Sequence, residues 1–296
     1  MAVLSIQSHV VYGYAGNTAA VFPLQRLGRE VWAVNTVEFS NHTGYGSFRG
    51  RVLGAELASE LVAGIEDRGV LNLCEAVLSG YLGDADVGRA VLAAVKKIRK
   101  ENPKALYCCD PVMGDSGRGF YVKQGIPEMF KNELVPLADI VCPNQFELEY
   151  LTGVTIKNIS DCLKAINILH DIGPSVVLTT SFREKAGELS MIASKRVSLP
   201  SAAAVNEAYK TTTPELPLGD RVAGTGDITS AVFLSHYLET NDLEKALSLC
   251  TASVFGVLEA SYDISLRDKI PLELKIINAQ EEFVSPSRSF NAVKIN

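Results

Sequence analysis

The sequence lacks the features that mark secreted, membrane-spanning and nucleic-acid-binding proteins. Its 296 residues contain 28 Lys and Arg against 34 Asp and Glu, and its longest basic run is the short segment 96–100. A basic surface for nucleic acid is therefore not expected. No stretch reaches about 18 uninterrupted apolar residues, and "MAVLSIQSHV" has no basic region, long apolar core or small-residue cleavage site. We expect a cytoplasmic protein without a membrane partner.

Cysteine and histidine are sparse and scattered. The six cysteines include no C-x-x-C pair, and three of them lie inside apolar strand-like runs. Free cysteine is among the most often buried residue types, so we expect reduced core residues rather than a disulfide framework. The four histidines are far apart in the chain, and a His/Cys zinc site has no support in the sequence.

The commonest motifs of nucleotide and hydrolase chemistry are also missing. The dipeptide Gly-Lys never occurs, which excludes a Walker A loop, and neither G-x-G-x-x-G nor G-x-S-x-G is present. The two commonest nucleotide-binding motifs and the nucleophile motif of α/β-hydrolases are therefore excluded.

Short β-rich runs alternate with longer segments of helical spacing along the chain. This pattern predicts an α/β fold with a mostly parallel central sheet and helices on both faces. No linker or internal repeat divides it, so we expect one domain over 1–296. The stretch 198–223 is the least regular and is expected to be a long loop. The predicted strands are 2–6, 30–35, 75–80, 105–110, 138–143, 175–180 and 189–194. The predicted helices are 16–27, 54–68, 84–101, 145–151, 160–172 and 227–239.

The stretch "AGTGDITSAVFLSHYL" places two glycines and an aspartate directly before a run of helical spacing. The backbone amides of Gly224, Thr225 and Gly226 would face outward at the positive end of that helix, where an anion could approach them closely. Asp227 would lie beside the anion, where a carboxylate can accept the proton of an attacking hydroxyl. The arrangement suits phosphoryl transfer. The same residues also fit a plain turn in which Asp227 only caps the helix.

Two further acidic segments follow predicted strands at the carboxyl edge of the sheet, where ligands bind in such folds. "CCDPVMGD" puts Asp110 at the end of a buried strand, and "VCPNQFELE" places Asn144 and Glu147 after another. Asp110 and Glu147 could together hold a hydrated Mg²⁺ that bridges nucleotide phosphates. Asn144 and Glu147 also fit a capping box without any further role.

Six segments of the chain are similar to segments of one enzyme family. "IQSHVVYGYAGN", "NTVEFSNHTGYG", "LSGYLGD", "CDPVMGD", "PNQFELE" and "GTGD" occur in this order over residues 6–227, and they closely resemble pyridoxal kinases of the ribokinase superfamily. The resemblance implies a ribokinase-like fold and transfer of the γ-phosphoryl group of ATP to the 5′-hydroxyl of pyridoxal, pyridoxine or pyridoxamine. It also implies a need for Mg²⁺ or Zn²⁺, a frequent response to K⁺, and a homodimer.

The resemblance further implies roles for individual residues. Asp227 is the expected general base, and residues 224–226 are the expected anion hole. The pyridine substrate is expected to contact Ser8, Val37, Phe39, His42, Thr43 and Tyr81. The phosphate and nucleotide side is expected to include Asp110, Asn144, Glu147, Thr180, Ser181, Thr225 and Gly226, with Asp110 and Glu147 facing the metal.

Purely structural roles stay open for four residues of the substrate side. His42 also fits a core imidazole bonded to a carbonyl, Tyr81 fits ordinary packing, and Ser8 and Thr43 fit turn residues. Two positions depart from the family pattern. Cys142 stands where many relatives carry Thr, and Thr180 stands where some bacterial relatives carry Lys.

Two other functions are compatible with the same scaffold. One is a kinase for another small alcohol, such as a hydroxymethylpyrimidine or a sugar. The other is a vitamer-binding protein with little catalytic activity. The intact "GTGD" segment argues against a binding protein, because such a protein needs no base at that position.

Overall fold

The strands of the protein are numbered here in chain order. A computed structural model describes residues 1–197, 205–218 and 222–296. Within them the strands are β1 (Ala2–Val10), β2 (Glu30–Phe39), β3 (Gly50–Val52), β4 (Cys74–Ser79), β5 (Leu106–Cys109), β6 (Gly114–Asp115), β7 (Gly119–Phe120), β8 (Ile140–Val141), β9 (Val176–Phe182), β10 (Glu188–Val197), β11 (Val205–Pro214) and β12 (Val293–Lys294). Ten of these strands form one sheet in the order β12-β11-β10-β9-β8-β5-β4-β1-β2-β3, and β6 pairs with β7.

The middle of the sheet is parallel and its edges are antiparallel. β2, β1, β4, β5, β8 and β9 are neighbours with parallel pairing, whereas β3 and the β10–β12 group pair antiparallel. β1 and β4 are buried along nearly their whole length, as their continuous apolar runs predict for strands covered on both faces. The predicted α/β fold with a mostly parallel sheet is confirmed.

Helices cover both faces of this sheet, as predicted. They are α1 (Asn17–Arg26), α2 (Gly54–Asp67), α3 (Ala85–Glu101), α4 (Ile126–Met129), α5 (Val135–Leu137), α6 (Gln145–Thr152), α7 (Ile159–Ile172), α8 (Thr225–Thr240), α9 (Leu243–Asp268) and α10 (Glu281–Val284). One apolar core packs α2, α3, α6 and α7 against the sheet, and a second packs α1, α8, α9 and α10 against the other face. No helix among the described residues is long and apolar enough to cross a membrane. All six cysteines are buried and free, as expected.

The prediction of a long loop over 198–223 is wrong for part of that stretch. β11 occupies ten of its residues and pairs antiparallel with β10 over their full lengths. The strand is rich in Thr and polar residues, and only a few side chains, such as Ala208 and Thr211, are buried, so its apolar signal is weak. Residues 198–204 and 219–221 of the predicted loop lie outside the described residues.

Candidate active site

A cavity of about 480 Å³ opens at the carboxyl edge of the parallel strands. The ends of β1, β5, β8 and β9, the turn after β2 and the N-terminus of α8 surround it. Ligands of open parallel sheets bind at this edge. The predicted site residues that line the cavity are Ser8, Phe39, His42, Thr43, Tyr81, Asp110, Asn144, Glu147, Thr180, Ser181, Gly224, Thr225, Gly226 and Asp227.

Gly224 shapes the N-terminus of α8. It adopts φ +87°, and a Cβ added there would lie 2.3 Å from the carbonyl oxygen of Tyr14. Neither the backbone conformation nor the available space therefore admits a side chain. α8 begins at Thr225, two residues earlier than predicted, so Thr225, Gly226 and Asp227 form its first turn. The amides of a first turn have no acceptor within the helix, and they are the groups that bind anions.

The carboxylate of Asp227 is held by another segment of the chain. Gly224 is the N-cap of α8 and provides no side-chain cap, and the Asp227 carboxylate accepts a hydrogen bond from the backbone amide of Gly16 at 2.8 Å. The helix-cap interpretation of Asp227 therefore has no support in this geometry. Burial raises the pKa of Asp227, and the bond from Gly16 opposes that rise.

Two other carboxylates of the cavity act on Asp110. Asp110 is 5% exposed, and burial together with the charges of Glu147 and Asp227 raises its pKa well above the usual range. A Cβ added at Gly226 would lie 4.0 Å from Oδ2 of Asp110, so this carboxylate adjoins the first turn of α8. Carboxylates that repel each other in a poorly solvated site favour either protons or a bound cation.

Glu147 forms the capping box that its spacing predicts. Its carboxylate accepts the backbone amide of Asn144 at 2.9 Å, while the Asn144 side chain accepts the amide of Glu147 at 3.0 Å. The other carboxylate oxygen accepts the amide of Met113 at 3.0 Å. Burial raises the pKa of Glu147 to about 8, against the opposing effect of these amide bonds. Glu147 thus ties α6 to the segment after β5, and its role toward a metal stays a prediction.

The turn after β2 presents His42, Thr43 and Gly44 to the cavity. Nδ1 of His42 accepts the amide of Gly44 at 3.2 Å, so the ring caps a short 3-10 turn over Thr43–Tyr45. The alternative in which His42 is a core imidazole bonded to a carbonyl is therefore wrong. Burial and the nearby Arg118 lower the pKa of His42, which keeps the ring neutral. Thr43 is exposed at this turn.

The remaining substrate-side residues form one wall of the cavity. Ser8 lies near the end of β1, and Tyr81 follows β4. Val37 does not line the cavity: it is fully buried in a small apolar cluster with Phe39, against which Tyr81 packs. Val37 can therefore support the wall but does not face a ligand there.

The nucleotide-side residues follow β8 and β9. The amide of Thr180 donates to the carbonyl of Pro143 at 3.0 Å, which extends the parallel pairing by one bridge from Asn144 to Thr180. Ser181 adopts φ +55°, where the pairing of β9 with β10 shifts register. Such irregularities are common next to active sites. Cys142 also lines the cavity, and its sulfur lies 3.7 Å from that of Cys108.

Several residues in or next to the cavity were not predicted. Gly16 holds Asp227 through its amide, and the β6–β7 hairpin brings Asp115, Arg118 and Tyr121 to the cavity. Arg118 is the only Lys or Arg among the described residues that line it. Only the Gly-rich composition of "GDSGRGF" could have indicated a tight hairpin there.

The donor set fits Mg²⁺ better than an all-protein metal cage. Among the described ranges, no group of three or more His, Cys, Asp and Glu side chains is arranged to hold a metal ion. The negative charges of Glu147 and Asp227 repel the carboxylate of Asp110, and a bound cation would relieve this repulsion. Magnesium is commonly bound by one or two carboxylates together with substrate phosphates, and Asp110 meets that pattern.

The fold and the site together define a class of protein. A helix N-terminus without a side-chain cap and with a carboxylate in its first turn, at the carboxyl edge of this sheet, is the arrangement of a small-molecule kinase of the ribokinase-like type. The family model for phosphomethylpyrimidine kinase matches residues 57–272. The pyridoxal kinase PdxY of Rubrobacter xylanophilus is 50% identical over 97% of this chain and 95% of its own.

Solved structures agree with that result. A pyridoxal kinase from Leishmania donovani in complex with ADP and pyridoxamine matches with a TM-score of 0.89 and 31% identity, over 99% of both chains. The same enzyme in complex with ADP and pyridoxine matches with a TM-score of 0.90 and 31% identity, over 99% of both chains. The chain therefore belongs to the phosphomethylpyrimidine kinase family and, within it, to the pyridoxal kinases.

Proposed function

We propose that this chain transfers the γ-phosphoryl group of ATP to the 5′-hydroxyl of pyridoxal, pyridoxine or pyridoxamine, with Asp227 as the general base. The observation that carries the assignment is the carboxylate of Asp227, which lies in the first turn of α8 and is held by the Gly16 amide at 2.8 Å. The named relatives and the ligands of the Leishmania enzyme support the choice of substrates.

The chain's own residues contribute three actions to this reaction. Asp227 accepts the proton of the 5′-hydroxyl as its oxygen bonds to the γ-phosphorus, and the bond from that phosphorus to ADP breaks. The amides of residues 224–226 stabilise the negative charge on the transferring group. The raised pKa of Asp227 makes it a stronger base than an ordinary carboxylate.

The side of the cavity near β1 and β2 is proposed to hold the pyridine ring. Ser8 and Thr43 offer hydroxyl partners for the polar groups of the ring, and Tyr81 offers an aromatic face. His42 is neutral and uses Nδ1 as an acceptor, which leaves its second ring nitrogen as a donor.

The opposite side is proposed to hold the nucleotide and its metal. Thr180 and Ser181 are proposed to contact ATP, and Asp110 to face Mg²⁺, with Glu147 and Asn144 fixing the surrounding backbone. When bound, the cation neutralises charge on the phosphates. We also propose that the chain acts as one domain in a cytoplasmic homodimer, on the basis of its composition and its family. A role for Zn²⁺ or K⁺ stays a prediction.

A phosphorylation assay tests the proposal. Purified protein is incubated with ATP and Mg²⁺ and with pyridoxal, pyridoxine, pyridoxamine, hydroxymethylpyrimidine or ribose in turn, and ADP formation is measured. We expect the three vitamers to be phosphorylated with the highest kcat/KM. The matching family model makes hydroxymethylpyrimidine the second candidate. Preference for that alcohol would reassign the substrate, and tight vitamer binding without ADP formation would indicate a binding protein.

A further inference from the structure

We propose that Glu273 is a positioning residue for the alcohol substrate, because it holds Tyr45 and with it the substrate turn, defined here as residues 42–46. The inference rests on the proposed function, since it assigns this turn to the vitamer side of the cavity. Glu273 lies in the segment 270–280 between α9 and α10, which we call the C-terminal strut.

Three segments that are far apart in the sequence meet at Glu273. The Tyr45 hydroxyl donates to one carboxylate oxygen of Glu273. Gly13, in the loop between β1 and α1, adopts φ +82°, and a Cβ added there would lie 3.2 Å from the other carboxylate oxygen and 3.2 Å from the Tyr45 hydroxyl. The junction is therefore closely packed around this carboxylate. It connects the substrate turn to the loop that also carries Gly16, the residue that holds Asp227.

The C-terminal strut is itself fixed to the core. Leu274 and Ile276 are fully buried, and the amide of Lys275 donates to the Ser261 hydroxyl of α9 at 2.8 Å. Leu274 also reaches the anion hole, because its Cδ1 lies 3.0 Å from the position of a Cβ on Gly224. Adjacent residues of one anchored segment thus contact the substrate turn and the N-terminus of α8.

Tyr45 connects Glu273 to His42, which lines the cavity. Its ring lies edge-on to His42 at 6.0 Å and to Tyr12 at 6.5 Å between ring centroids. Burial and the Glu273 carboxylate raise the pKa of Tyr45, so the phenol remains a donor at neutral pH. Without the bond between Tyr45 and Glu273, we expect the turn that carries Thr43 to shift relative to Asp227. A reaction that needs a hydroxyl beside its base is sensitive to such small displacements.

Two conservative substitutions test the role. Glu273→Gln keeps the size but removes the charge of the acceptor, and Tyr45→Phe removes only the hydroxyl. We expect each to raise the KM for pyridoxal about three- to tenfold while the KM for ATP stays within about twofold, because a bond to a charged acceptor is lost on one side of the cavity only. The double variant should be no worse than the more impaired single variant, since both substitutions act on the same bond.

Glu281→Gln is the matched control. It removes a carboxylate whose 3.0 Å ion pair with Arg26 also joins this end of the chain to another element, but away from the cavity. Because this ion pair is at the surface, the substitution should change the melting temperature little and leave both KM values unchanged. If Glu273 had only a structural role, Glu273→Gln would lower the melting temperature without changing either KM value.

The outcomes separate the two proposals. If wild type and Glu281→Gln phosphorylate pyridoxal and both test variants keep the wild-type pyridoxal KM, the positioning role is wrong. An equal rise in the pyridoxal and ATP KM values also overturns it. If wild type itself forms no phosphorylated vitamer, the proposed function is wrong instead.

Discussion

Asp227 combines the two properties that a base needs in this cavity. Its carboxylate is oriented by the Gly16 amide at 2.8 Å, and burial raises its pKa toward the working pH. Its sequence context indicated the carboxylate and the helix but not the amide that orients it. Gly16 lies 211 residues away, and no local pattern reports such a contact.

Asp227→Asn tests the base at the scale of one residue. The amide oxygen of Asn can still accept the bond from Gly16, but the side chain cannot take the hydroxyl proton. We expect kcat to fall about 10²- to 10⁴-fold, the usual contribution of a general base, with the melting temperature and the KM for ATP nearly unchanged. Because phosphoryl transfer has a loose transition state, the lower end of that range also fits. A folded variant that keeps more than about a tenth of wild-type kcat would contradict the assignment.

Helix α1 shows how an element delivers a backbone group to the site. Glycines with positive φ flank both of its ends, Gly16 at +57° and Gly28 at +82°. A Cβ at Gly16 would lie 2.2 Å from the carbonyl oxygen of Ser8 and 2.3 Å from its hydroxyl oxygen, whereas a Cβ at Gly28 meets nothing within 4 Å. Only Gly16 is therefore constrained by close contact with Ser8. That contact fixes the position of the Gly16 amide, which donates to Asp227.

Substituting each glycine by alanine separates strain from crowding. Gly28→Ala should lose about 1 to 2 kcal/mol of unfolding free energy from its left-handed backbone and keep normal kcat. Gly16→Ala should lose about 2 to 4 kcal/mol and at least about tenfold in kcat, because the new Cβ pushes the Gly16 and Ser8 backbones apart and takes the Gly16 amide away from Asp227. Urea unfolding and steady-state kinetics measure both effects. Equal kcat in the two variants would show that the Gly16 amide does not orient the base.

The sequence predicts buried strands and helices better than polar ones near the edge of the sheet. Every predicted strand and helix is present, because continuous apolar runs and 3.6-residue spacing report strands and helices packed in the core. β11 was missed because it is polar and pairs near the edge of the sheet, and the long helix α9 was not predicted. The capping box of Asn144 and Glu147 was predictable because it is local. The junction of Gly13, Tyr45 and Glu273 was not, since it depends on contacts between distant segments.

At the scale of the whole molecule, buried and partly buried histidines link folding to pH. Burial lowers the pKa of His42, His170 and His236, the last to about 4. His236, in α8, has a ring nitrogen, Nε2, that is buried without a hydrogen-bond partner among the described residues. The positive charges of Arg29 and Lys245 further oppose its protonation. Protonating this ring in the folded chain is therefore unfavourable.

The consequence is a loss of stability in acid that depends on one side chain. In the unfolded chain His236 regains its ordinary pKa of about 6.5, so between pH 6.5 and pH 4 the unfolded state binds more protons and the free energy of unfolding falls as the pH falls. By pH 4 this histidine should account for a loss of roughly 3 kcal/mol. His236→Gln should flatten the curve of melting temperature against pH below about 6.5, whatever its stability at pH 7. If melting temperatures measured from pH 7 to pH 4 show the same slope for wild type and His236→Gln, the acid sensitivity arises from other groups.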